Sequence, residues 1–274
     1  MKGKGKITLL LIVYNEGEIV RRALESAKNV VDEIMVIHDG KCTDNTLKIC
    51  KEYTKNIIIG SHTGRASLHM INAFNKIKTE WILKLDADEY LSEKMREGLG
   101  KLVKVKRVSA YSFLWRWWDG KKYITKNFPH KMALFKKSKI SFLEFPGNDE
   151  PEIKGITLKI DDPLEHRPNY NNFTWKSALT RGTRRAKDQA KWTLKEFKDL
   201  RKYQYGRKDF KLAVKLRKNF TLLAMFILPI AAFIKIVSAG FKEGFPVFSF
   251  AIKDAYYQAT VCYFILKLKH GKEI

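Results

Sequence analysis

Three acids around one small residue, Asp86-Ala87-Asp88-Glu89, follow directly on the apolar run Trp81-Ile82-Leu83-Lys84-Leu85. A short run of this kind, ended by polar residues, reads as a strand buried in a sheet. Asp86 and Asp88, separated by Ala87, can reach one hard cation that a substrate diphosphate also ligates. The competing reading is a solvated acidic turn ahead of a helix capped by Ser92. The two differ in where the acids sit: in an open α/β sheet, ligands bind outside the carboxyl ends of the strands.

The surrounding chain supplies that setting. Ile7 to Val13, Glu33 to Ile37, Asn56 to Ile59 and Trp81 to Leu85 are strand-length apolar runs. Between them Ile19, Val20, Ala23, Leu24 and Ala27 recur at helical spacing, as do Leu47, Cys50 and Tyr53, and Ala66, Met70, Ala73, Phe74 and Ile77. Asn15, with Glu18 three residues on, is placed to cap the first helix, and Asp44 the second. Such alternation predicts a parallel sheet with right-handed crossovers. Beyond Ser92, Val108 to Trp118 alternates, with Tyr111, Phe113, Trp115 and Trp117 on one face. That row either stacks on a sugar or forms the buried side of an antiparallel strand. Asp119-Gly120 signals a hairpin, and His130 to Phe135 and Ile156 to Ile160 read as further short strands. Phe145 to Glu152 is acidic and rich in turn residues, and reads as a loop.

The 274 residues are 45% hydrophobic, enough apolar material for a packed core, and carry a net charge of +24. From residue 167 onward Lys and Arg number 23 against 7 Asp and Glu, so the excess is concentrated late. Such a block draws nucleic acid, an anionic membrane surface or an anionic substrate. With no nucleic-acid motif in the chain and the basic residues set beside greasy ones, no nucleic acid is expected. Arg181, Arg184, Arg185, Lys187, Lys191, Lys195 and Lys198 interleave with Ala186, Ala190, Leu194 and Phe197, predicting a helix with one packed and one cationic face. The stretch from 219 to 241 is the greasiest. Phe220 to Ile234 is uncharged, contains Pro229 and falls short of the roughly 20 residues of a bilayer span, unless Lys235 is carried along in a tilted one. Alternating greasy and basic stretches fit helices lying in the interface of an anionic leaflet, or else a buried helical subdomain. Cys42, Cys50 and Cys262 lack C-x-x-C or paired Cys/His spacing, which argues against a zinc or disulfide framework and for a reducing compartment. The basic opening leads only into a strand-length run, so no signal peptide is expected.

Tyr14-Asn15-Glu16 after the first strand, Asp39-Gly40 with Thr43-Asp44-Asn45-Thr46 after the second, and Asp86-Ala87-Asp88-Glu89 after the fourth together resemble family 2 glycosyltransferases with the GT-A fold. His130-Lys131-Met132-Ala133-Leu134-Phe135, Asn148-Asp149-Glu150-Pro151 and Pro163-Leu164-Glu165-His166 are similar to the R-x-x-L-F, V-H-E and L-x-H motifs of the subgroup that adds sugars to lipopolysaccharide cores. The resemblance implies a mostly parallel α/β GT-A domain over 1–166, then a helical, basic, membrane-associating region over 167–274. It implies inverting transfer of a single sugar from a nucleotide-sugar donor to a membrane-associated glycan or lipid acceptor, at the cytoplasmic face of the membrane, with Mg²⁺ or Mn²⁺ as cofactor. Asp88, assisted by Asp86, would hold the cation. Tyr14, Asn15, Glu16, Asp39, Arg65 and Asp86 would meet the donor, Asp39 through the nucleobase. Glu150, with Asp149 as rival, would be the base for the incoming hydroxyl, and Glu89 would brace the acidic loop. His38 stands where the family has an acid, and the Lys41-Cys42 loop is one residue longer. The Q-x-x-R-W signature of processive synthases is absent, which favours a single addition. Two other readings stay open: a polyprenyl-phosphate glycosyltransferase, whose anionic acceptor needs less of a base, and a non-catalytic basic protein binding membrane or nucleic acid.

Overall fold

Four parallel strands carry the first part of the chain: β1 (Ile7–Val13), β2 (Glu33–Asp39), β3 (Ile57–Gly60) and β4 (Trp81–Leu85). Helices α1 (Val20–Ala27), α2 (Thr46–Lys51) and α3 (Ala66–Lys76) make the crossovers. The computed structural model describes residues 5–64, 66–141, 152–194 and 208–274. All five residues of β4 are buried, Lys84 included, as expected of a strand covered on both faces. Leu9, Leu11, Leu83, Leu85 and Phe113 are fully buried in the same core. After β4 come β5 (Glu89–Leu91) and α4 (Glu93–Leu102), whose start is capped by Ser92 Oγ accepting from Met95 N at 3.3 Å.

The remaining strands are β6 (Val108–Leu114), β7 (His130–Lys136), the two-residue β8 (Ile140–Ser141) and β9 (Glu152–Ile153), and β10 (Ile156–His166). The eight-stranded sheet runs β3-β2-β1-β4-β7-β6-β10-β5. β7 is antiparallel to both β4 and β6, while β10 runs parallel to β6 and meets β5 antiparallel at its end. Because β1 to β4 are parallel, their carboxyl ends open on one edge, and the loops carrying Tyr14-Asn15-Glu16, Asp39-Gly40 and Asp86-Ala87-Asp88 leave from it.

Local details depart from expectation. Asn15 does not cap α1: its φ of 50° puts it in the left-handed region, and Ile19 is the N-cap residue without a side-chain bond. Asn45 precedes α2, although Asp44 Oδ1 does accept from Thr46 N at 2.9 Å. The β6–β7 ladder ends with Leu114 opposite His130, and beyond it the isolated bridge residues Trp118 and Tyr123 flank Asp119-Gly120, where the sequence signals a turn. Trp115 N still donates to Pro129 O at 2.8 Å, after which Trp117 is buried against Phe128. β10 continues past Pro163 because its register shifts between Ile160 and Pro163, sparing the proline a ladder bond.

The chain divides into two compact units. One takes Met1–Gly120, Asn127–Ser141 and Ile153–Asn169, and the other Lys121–Lys126, Phe142–Glu152 and Tyr170–Ile274. In the second, α5 (Trp175–Ser177) and a π-helical turn lead into α6 (Thr183–Leu194), followed by α7 (Lys208–Asn219), α8 (Thr221–Gly240) and α9 (Phe245–Lys269). Ala186 and Ala190 of α6 pack on Val261, Phe264 and Ile265 of α9. α8 and α9 run antiparallel, with the Phe233 and Phe248 rings 5.3 Å apart and Lys269 Nζ donating to Thr221 Oγ1 at 2.8 Å.

Candidate active site

The loops leaving β1, β2 and β3 are stitched together by side chains. Asn15 Oδ1 accepts from Thr43 N at 2.8 Å, Glu16 N donates to Thr46 Oγ1 at 2.6 Å and Gly17 N to Asp44 Oδ2 at 2.9 Å. Asn15 N donates to Nε2 of the buried His38 at 3.3 Å, so that imidazole carries its proton on Nδ1 and directs it to Gly40 O at 2.8 Å. Where the resembled family has an acid, His38 thus bridges two loops. Gly40 has φ 91°, and a Cβ there would lie 2.7 Å from His62 Cβ, so the backbone admits only glycine.

Asp39 ends β2, as expected, but its carboxylate is committed inward and its side chain is only 8% exposed. Oδ1 accepts from Thr63 N at 2.6 Å, Thr63 Oγ1 at 3.2 Å and His69 Nε2 at 2.7 Å, and Oδ2 accepts from Gly64 N at 2.8 Å. Burial pushes this carboxyl up, and the bonds from His69, Thr63 N and Gly64 N outweigh burial and hold it below the usual range. Asp39 therefore fastens the β3 loop. What faces out is a pair of rings, Tyr14 and His62, with centroids 4.6 Å apart and each about half exposed. Glu16 lies beside the acidic loop. Burial raises its carboxyl to about 7, with Asp88, Asp86 and Asp44 adding to the rise against one bond from Tyr14 N.

In the loop after β4, Glu89 is wholly buried and acts as the brace. Its Oε2 accepts from Asp86 N at 2.9 Å, and its Oε1 accepts from Trp115 Nε1 at 2.7 Å and Lys131 Nζ at 2.5 Å. Lys131 Nζ also lies 2.5 Å from Asp86 Oδ2, while Lys84 Nζ approaches Asp86 Oδ1 at 3.4 Å. Burial alone would raise the Asp86 carboxyl; the two lysines overturn this and hold it well below the usual range. Burial likewise raises Glu89, against Lys131, and there burial prevails. Asp86, expected to meet both cation and donor, thus has an ammonium group at each oxygen.

Asp88 has a different partner. Its Oδ2 lies 3.3 Å from His166 Nε2, because the β5–β10 register sets His166 opposite Glu89 and Arg167 N donates to Asp88 O at 3.0 Å. The His166 ring lies under Trp115, centroids 4.1 Å apart, and among the described residues its buried Nδ1 has no hydrogen-bond partner. Among the described residues no three His, Cys, Asp or Glu side chains form a group that could hold a metal ion. Asp88 and His166 are instead a two-donor set, one carboxylate and one imidazole, which fits Mn²⁺ or Mg²⁺ when substrate oxygens and water complete the shell. Reading the sequence did not single out His166 as a site residue, although the L-x-H resemblance carries it. No spacing announces its meeting with Asp88. Arg65, Asp149 and Glu150 lie outside the described residues.

Comparison with known proteins bears on the family and the fold. An "Uncharacterized glycosyltransferase" of Rickettsia felis is 34% identical over 92 residues, covering 34% of this chain and 32% of the relative. Glycosyltransferase SunS of Bacillus phage SPbeta is 36% identical over 109 residues, covering 38% of this chain and 24% of the relative. The chain thus spans about a third or less of the length of these curated relatives. The mannosyltransferase PcManGT from Pyrobaculum calidifontis, solved with GDP-Man and Mn²⁺, superposes with a TM-score of 0.52 at 16% identity over 98% of this chain and 88% of that one. That likeness concerns the fold, which is GT-A. The model of "Glycosyl transferase family 2" matches residues 8–149, more than half of the chain, whose strand order and motif-bearing loops are those described above, and the chain belongs to that glycosyltransferase family.

Proposed function

We propose that the protein transfers a single sugar, with inversion, from a nucleotide-diphosphate donor to a membrane-associated glycan or lipid acceptor, with a divalent cation held by Asp88 and His166. The observation that carries this reading is the pairing of Asp88 with His166, 3.3 Å apart at the carboxyl edge of the sheet. A bound cation there neutralises charge on the leaving diphosphate. Tyr14 and His62 offer ring faces to a nucleobase, over a loop that Asp39 holds rigid. Lys131 and Lys84 keep Asp86 ionised, and Glu89 fixes the turn that aims Asp88. Glu150, with Asp149 as the alternative, takes the proton of the acceptor hydroxyl as its oxygen bonds to the anomeric carbon and the bond to the diphosphate breaks. The GDP-Man and Mn²⁺ of the Pyrobaculum enzyme support a nucleotide sugar and a cation as the ligand classes. The late cationic excess supports a membrane-resident acceptor at the cytoplasmic face.

The test is a calorimetric screen of nucleotide sugars with and without Mn²⁺ or Mg²⁺. Asp88→Asn and His166→Gln should each weaken metal-dependent donor binding at least about tenfold, whereas Glu150→Gln should spare binding and lose turnover. Wild-type activity in Asp88→Asn would remove the cation from this site. Undiminished turnover in Glu150→Gln would move the base, or indicate a phosphate acceptor that needs none.

A further inference from the structure

α8 is 20 residues long, about 30 Å at the helical rise, so length alone would let it cross a bilayer. Of its residues only Thr221, Ala224 and Gly240 are buried. Leu222, Leu223, Phe226, Ile227, Ile230 and Ile234 are all 44–69% exposed, and at about 100° per residue they fall on one side of the helix. Thr221 and Ala224 face away from that stripe and are buried, Ala231 and Lys235 face away from it and are exposed, and Phe233, at the edge of the stripe, meets Phe248 of α9. Phe245 and Phe248 of α9 are exposed as well. An apolar patch of this extent on a soluble surface marks a contact.

We infer that α8 lies flat in one leaflet of an anionic bilayer, its exposed stripe among the acyl chains, and does not cross. The inference deepens the membrane association proposed above by assigning the depth and orientation of the contact. The neighbours of α8 decide between lying and crossing. Its inner face packs on α9, and the far side of α9 packs on α6 through Ala186 and Ala190. α6 bears Arg184, Arg185 and Lys191 exposed to solvent, and Arg217 and Lys253 are buried within the same helical unit. A crossing α8 would carry α9 and the cationic face of α6 into hydrocarbon, where charged side chains are strongly disfavoured. A flat α8 leaves them in water. Lys235, on the side away from the stripe, then stays in water, and Lys242 beyond the end of α8 can reach headgroups by extending its stem. The 23 Lys and Arg against 7 Asp and Glu from residue 167 onward select an anionic surface as occupant.

The test uses the full chain with Cys42→Ser, adding Asn219→Cys or Ser238→Cys to mark the two ends of α8. The protein is mixed with phosphatidylcholine vesicles, with and without phosphatidylglycerol, in the absence of donor and acceptor. Flotation with the anionic vesicles, together with equal labelling of both ends by an impermeant thiol reagent added outside, is the expected result. Phe226→Ser with Ile230→Ser should reduce flotation at least about tenfold with unchanged thermal unfolding. Protection of one end until the vesicles are lysed would overturn the inference in favour of crossing. Absence of flotation would overturn it too, and a dimer abolished by the same double substitution would name a second copy as occupant. Loss of sugar transfer is read on a separate assay, so failure of the proposed activity and failure of this inference are distinguishable.

Discussion

Asp86 and Asp88 stand two residues apart in opposite surroundings, and their substitution should separate accordingly. Asp86→Asn leaves Lys131 and the buried Lys84 short of their counter-ion. It should cost about 1–3 kcal/mol in denaturant unfolding, less than a fully buried pair because Asp86 is 43% exposed, while Mn²⁺ affinity stays within a few fold. Asp88→Asn should do the reverse, nearly sparing stability and losing the cation. Glu16 gives a pH signature. Its folded-state value of about 7 exceeds the ordinary 4.5, so between those values the folded protein keeps a proton that the unfolded chain has released. Stability from this group is therefore full below pH 4.5 and falls as pH rises to 7, by up to about 3 kcal/mol. Glu16→Gln should flatten that slope and be the more stable protein at pH 8, as urea titrations across pH would show. The acids themselves are legible in the sequence. Their division of labour is not, because it is decided by Lys131 and His166, which only strand pairing brings near.

At the scale of elements, β1 and β4 fall where their apolar runs place them, since strands buried on both faces are written as uninterrupted hydrophobic sequence. Ser92 is equally legible as a cap, and Ser92→Ala should cost about 1 kcal/mol. The Asp119-Gly120 signal is legible as a turn flanked by the bridge residues Trp118 and Tyr123, whereas the placing of Trp115 and Trp117 by Glu89, His166 and Phe128 is not. Asn15 misleads: a residue suited to capping is equally suited to the left-handed backbone, and the bond to Thr43 decides between them. Gly40 lies where the β2 and β3 loops touch. Gly40→Ala should cost about 1–3 kcal/mol by strain and by collision with His62, lowering the melting temperature and loosening the Tyr14–His62 pair.

Across the whole molecule, the charge asymmetry is legible from composition, but its meaning depends on which residues of the late helices are buried. An alternation of greasy and basic stretches serves a buried subdomain and an interfacial one equally well; the exposed side of α8 is what the inference of an interfacial one rests on. With cations and an apolar stripe both engaged, rising salt should weaken vesicle binding without abolishing it, since screening at about 8 Å in physiological salt acts on the charges alone. A binding curve that fell to zero in high salt would limit the contact to electrostatic adhesion. The β5–β10 ladder also orders events in time. The four parallel strands and the acidic loop are complete by residue 91, yet His166 reaches Asp88 only through the last residues of β10. A chain still on the ribosome therefore has its sheet edge and its acids long before it has a second donor. If the cation is held as proposed, its capture must wait until residue 166 has emerged, which places metal loading after the eight-stranded sheet is complete.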